Sequence, residues 1–93
     1  MTDAEKLTML KVDLGISVDA YDARLTQYIG AAKAEIGREG ITLSDESLDD
    51  CNLVIMFAAW MWRKRDSGEG MPRMLRYALN NRLFAEKMKK EES

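Results

Sequence analysis

Ten consecutive apolar residues, Leu53-Val54-Ile55-Met56-Phe57-Ala58-Ala59-Trp60-Met61-Trp62, constrain this chain more than any other feature. Acids precede the run (Asp49, Asp50) and bases follow it (Arg63, Lys64, Arg65), the order that a helix dipole favours. A helix that is apolar around its whole circumference has to be buried on every side. Ten residues are also about half of the roughly 20 needed to span a bilayer. The run therefore predicts a central helix wrapped by others, from about residue 46 to 64. Its stripe is Leu48, Cys51, Ile55, Ala58 and Trp62, and Ser44, Asp45 and Ser47 offer a choice of caps.

Three further helices are predicted around it. Thr2 and Glu5 have capping-box spacing, so a first helix spans about 3–14, carries Leu7, Leu10 and Leu14 on one face and stops at Gly15. A second, about 20–38, takes Asp19 as its N-cap and Asp22 into its first turn. Its apolar residues Leu25, Ile29, Ala32 and Ile36 are spaced four, three and four, and Gly37 and Gly40 end it. Asp66-Ser67-Gly68-Glu69-Gly70 reads as a flexible loop. Pro72 then suits the first turn of a fourth helix, about 72–88, with Leu75, Ala78, Leu79 and Leu83 as its stripe. Lys87, Lys89 and Lys90 favour its C-terminal end, and Glu91-Glu92-Ser93 are expected to fray. Ile41 to Leu43 is too short for a sheet. The expected fold is all-α: one domain over residues 1–93, a bundle of about four helices joined by short loops.

A domain of 93 residues buries only roughly 60–70% of its unfolded surface, so a partner subunit that covers apolar area would add stability. With no histidine and one cysteine, Cys51, the chain cannot form an intrachain disulfide, a His-based triad or a usual zinc site. Cys51 lies on the stripe of the third helix and reads as a core thiol. The carboxylates cluster at helix starts, where capping and dipole effects account for them, and adjacent Asp49 and Asp50 point in different directions. Gly68-Glu69-Gly70 lacks the Lys-Ser/Thr and the preceding strand of a phosphate loop. No catalytic residue, cofactor or metal site is expected. The acidic, polar Met1-Thr2-Asp3-Ala4-Glu5 is unlike a signal peptide, so the expected compartment is the cytoplasm, with no membrane partner.

Two features point instead to protein partners. Trp60 and Trp62 project about 200° apart on a helix, so one core cannot hold both alike. Either one is core and the other is sandwiched by a neighbouring helix, or one ring lies at a subunit interface, where Trp and Met are enriched. The charges also divide: residues 1–50 carry eleven acids and five bases, and residues 51–93 nine bases and five acids. Arg63, Lys64 and Arg65 on the third helix, with Arg73, Arg76 and Arg82 on the fourth, read as a solvated face. Sharper readings are a docking surface for an acidic neighbour or a patch facing DNA phosphates. Intrachain neutralisation of the two halves is the plain alternative to a contact between subunits.

The order of features resembles a known family. A leucine-bearing helix ends in Leu14-Gly15-Ile16, and an acidic-capped helix follows with Asp22, Leu25, Ile29, Ala31-Ala32 and Ile36. The apolar third helix closes on Trp62-Arg63-Lys64-Arg65. A glycine-containing loop leads to Met71-Pro72 and a last helix with Leu79-Asn80-Asn81-Arg82-Leu83. Over about residues 7–88 this is similar to the small head–tail connector (head-completion, adaptor) proteins of tailed bacteriophages and prophages. The resemblance implies a helical, non-enzymatic virion protein that forms a homo-oligomeric ring under the portal after DNA packaging. That ring would be the platform for a downstream neck or tail-completion protein, in the virion neck and, during assembly, the host cytoplasm. Trp60, Trp62, Arg63, Arg65, Arg73 and Arg76 are the candidate interface residues, and contact with DNA in the channel would be non-specific at most. The alternative is a small helical DNA-binding regulator using the basic half. Against it stand a loop of about six residues where a helix-turn-helix has three or four, and a pI near 5.

Overall fold

A computed structural model describes residues 1–92; Ser93, and with it the end of the expected frayed tail, lies outside the described residues. Four helices follow one another: α1 (Asp3–Leu14), α2 (Asp22–Arg38), α3 (Leu48–Ser67) and α4 (Arg73–Glu92). No strand is present among the described residues. The all-α bundle is as expected. The apolar run makes α3 the common neighbour: α1, α2 and α4 all pack on it, and α1 and α2 also pack on each other. The result is a slab of 46 × 28 × 17 Å, about two helices thick.

Local chemistry explains most boundaries. Thr2 and Glu5 form the reciprocal capping box, and Gly15 closes α1 in the left-handed conformation at φ 70°. The stripe Leu25, Ile29, Ala32 and Ile36 is wholly buried, as are Leu10, Leu53, Val54, Ile55, Phe57, Ala58, Ala59, Leu75 and Leu79. Cys51 is a buried free thiol.

Several expectations are corrected. Asp19 does not cap α2: the helix starts at Asp22, with Tyr21 in the cap position and no side-chain cap. The Asp19 carboxylate instead accepts from Lys11 Nζ at 3.2 Å, and Asp22 Oδ1 lies 2.8 Å from the same ammonium. A charge on α1 has outcompeted the local cap. α3 begins at Leu48 behind Ser47, whose hydroxyl accepts from the Asp50 N–H, so Glu46 lies outside it. It runs three residues past Lys64 to Ser67, taking Asp66 and Ser67 out of the expected loop, and Gly68 ends it at φ 65°. Leu48, expected on the buried stripe, is exposed because it is the first helical residue and burial begins at Asp50. Burial on every side holds for Leu53–Val54–Ile55 and Phe57–Ala58–Ala59; Met56 is exposed, and Trp60, Met61 and Trp62 are half-buried. Pro72 precedes α4, its carbonyl accepting from the Arg76 N–H. α4 continues past Met88, through Glu91, to Glu92.

A polar clasp fixes α4 that no periodicity announced. Asp50, buried at the start of α3, accepts from Arg82 Nε at 2.7 Å and from the Ser44 N–H at 2.9 Å. Arg82 also donates to the Thr42 carbonyl at 2.7 Å, and buried Glu86 accepts from the Thr42 N–H at 2.6 Å. Burial works against ionising Asp50, but Arg82 and the Ser44 N–H outweigh it and hold the carboxyl below its ordinary value. The Thr42 N–H does the same for Glu86, and Asp50 raises the Arg82 guanidinium.

Candidate protein interface

The C-terminal half of α3 leaves the core after Ala59 and presents its two indoles to different flanks. Trp60 stands edge-to-face with Phe57 at 5.5 Å and donates its indole N–H to the Gly70 carbonyl at 3.1 Å. Lys64 Nζ lies 4.3 Å from its ring centre. A groove beside it is lined by Met56, Met74, Pro72, Arg63 and, from α1, Asp13. This flank joins α3 to the start of α4.

Trp62 turns the other way, onto α2. It meets Tyr21 at 5.3 Å and Tyr28 at 6.3 Å, both edge-on. The Arg65 guanidinium lies 3.4 Å from its ring centre and donates to the Trp62 carbonyl at 2.7 Å. Stacking of this kind contributes about 0.5–1 kcal/mol at an exposed site. Arg24 and Gln27 complete an open groove with these aromatics. Neither indole is wholly core; each is half-buried and half-presented.

The four arginines of the candidate set fall into three situations. Arg63 and Arg73 are exposed and make no ion pair among the described residues. Arg65 is committed to Trp62, with Asp66 3.7 Å away. Arg76 is spanned by the Glu39 carboxylate at 3.1 and 3.2 Å, which ties α4 to the end of α2. Two bases of the second half, Arg76 and Arg82, are thus neutralised by acids of the first half, Glu39 and Asp50, within one chain. Lys6, on α1, is buried to 1% exposure against Asp45 at 2.6 Å and Asp3 at 3.3 Å. Sequence reasoning missed Lys6, Asp50 and Glu86 as buried charges. Only the helical register of Lys6 beside Leu10, and of Arg82 and Glu86 beside Leu75 and Leu79, carried a trace of it.

Among the described residues no group of three or more His, Cys, Asp or Glu side chains could hold a metal ion. None of the described helices is long and apolar enough to cross a membrane. No protein-family model matches the chain, and no curated protein or solved structure matches it.

Proposed function

We infer that this chain is a non-enzymatic assembly subunit, a head–tail connector of the tailed-bacteriophage type. Its copies form a ring beneath the portal, in the virion neck, and that ring receives a neck or tail-completion protein. One observation carries the reading: α3 offers two unlike patches on different flanks, Trp60 with Met56 and Arg63 on one, and Trp62 against Tyr21 and Tyr28 on the other. A closed ring of identical subunits needs such a pair, because each copy meets its neighbour through two different surfaces. Half-buried aromatics beside exposed arginines are the side chains that dominate protein contacts. The resemblance in the order of sequence features supports the same role. Contact with DNA in the channel would be phosphate-directed and independent of sequence.

Negative-stain microscopy of the concentrated protein, alone and with its portal protein, tests this. Rings are expected, and Trp62→Ala should disperse them while the far-UV helical signal and the monomer persist. A wild-type chain that stays dispersed and ignores the portal would overturn the reading. So would indole substitutions at 60 and 62 that each unfold the monomer and leave no separate assembly defect.

A further inference from the structure

The outer face of α4 carries a second apolar row that the core does not use. Its buried residues, Leu75, Leu79 and Glu86, with half-buried Arg82, face the body of the domain. Met74, Tyr77, Asn81, Phe84 and Met88 lie roughly 150° round the helix, at successive steps of three, four, three and four. They are open to solvent: Met74 is 72% exposed, Tyr77 54%, Phe84 66% and Met88 44%. Four large apolar side chains are thus aligned on one exposed helix face, a patch of the size that often marks a contact site.

We propose that two copies of this chain pair through this face, side by side and parallel, in register about Asn81. The 3-4 spacing places Met74, Asn81 and Met88 at one seam position of a two-stranded coil and Tyr77 and Phe84 at the other. Asn81 selects the partner. Against a foreign apolar helix its carboxamide would lose water without replacement, whereas against its own twin each amide has a donor and an acceptor to exchange. A lone asparagine at this seam position fixes register and a two-stranded state.

The flanks select the direction. Running parallel, Arg73 lies beside the second copy's Ala78, and Asn80 beside its Ala85, the two alanines that line a groove against Asn52 and Met56 of α3. Reversed, Arg73 would meet Lys87 of the other copy, cation against cation, twice over. The area reaches the threshold of a small interface. The four apolar side chains expose on the order of 500 Å² per copy, so complete burial in a pair takes up about 1,000 Å², the threshold of a specific interface, and the flanking residues add to it. Residues 87 to 91 are all exposed, and the seam residue Met88 would give this end of α4 a packing partner.

The contact closes on itself, so it does not propagate a ring; it shares Met74 with the groove beside Trp60, and Tyr77, Phe84 and Met88 are the positions that set it apart from the connector reading. Sedimentation of the full chain at tens of micromolar should show a dimer, and Phe84→Glu should return it to monomer with its helical signal unchanged. Met74→Cys should cross-link to itself under mild oxidation, since position 74 faces its twin; buried Cys51 should leave the wild type uncross-linked. If particles larger than a dimer form, the decision rests on that cross-link alone. Monomeric wild type, a dimer that survives Phe84→Glu, or cross-linking of Met74→Cys only when mixed with Met88→Cys would each overturn the proposal.

Discussion

The α1–α3 unit and α4 are held by burial and polar bonding in different proportions. In the first, Leu10, Leu25, Ile29, Ala32, Ile36 and the middle of α3 interlock with almost no exposed apolar atoms, so burial itself is the adhesive. Among the described residues α4 contributes Leu75 and Leu79 to the fully buried set, with Ala78 and Leu83 packed partly against it, and polar bonds to the α2–α3 connection and to Asp50 of α3 add to this packing. Apolar packing tolerates some rearrangement of shape, whereas a clasp of directed charges holds one geometry and fails when one member changes state. The contrast teaches where the chain can open: α4 packs chiefly on α3, whereas α1 packs on both α2 and α3, so α4 is the helix with the fewest neighbours to leave.

Leu25→Ala probes the apolar side and should have the largest effect. The residue is fully buried, so the loss is about 3–4 kcal/mol in denaturant unfolding, with all four helices melting together. A loss under about 1 kcal/mol would mean that the three-helix unit is not the cooperative core.

Arg82→Met probes the clasp. It strands the buried Asp50 carboxylate and should cost about 2–3 kcal/mol, less than for a wholly buried pair because Arg82 is itself partly exposed. Hydrogen exchange should show α4 losing protection while α1–α3 keep theirs; equal loss everywhere would erase the distinction. Acid reaches the same clasp in the wild type. Asp50 and Glu86 are both held below their ordinary values. Their stabilisation is therefore complete above about pH 4–5 and is lost as pH falls through the lowered folded values. α4 should loosen first on that descent.

Thr2→Ala is the smallest test and touches neither holding mechanism. It removes one half of the capping box and should cost about 1 kcal/mol, confined to the first turn of α1. A change in α4 exchange here would show that the two regions are coupled more tightly than their contacts suggest.

Helix number, the α2 stripe and the central place of α3 were legible because they depend on neighbours three or four residues apart. The capping box and the stop at Gly15 were legible for the same reason. Illegible features depend on distant charges. Asp19 looked like a cap until Lys11 claimed it, and Arg82 looked solvated until Asp50, 32 residues earlier, met it. The candidate interface was half legible. Divergent indoles follow from helical geometry, but the tyrosines that receive Trp62 come from α2, and the bond of Trp60 to Gly70 depends on the loop path.

That placement of the indoles has an optical consequence. The chain carries two fluorophores of one kind in two unlike surroundings, one bonded to the loop before α4 and the other set between phenols and a guanidinium. Light absorbed by Tyr21 or Tyr28 passes readily to Trp62 over so short a gap, while the emission of Trp60 follows the polarity around its bonded N–H. The loop before α4 and the α2 side of α3 thus each report through a different indole, and replacing one by phenylalanine leaves the other to signal alone.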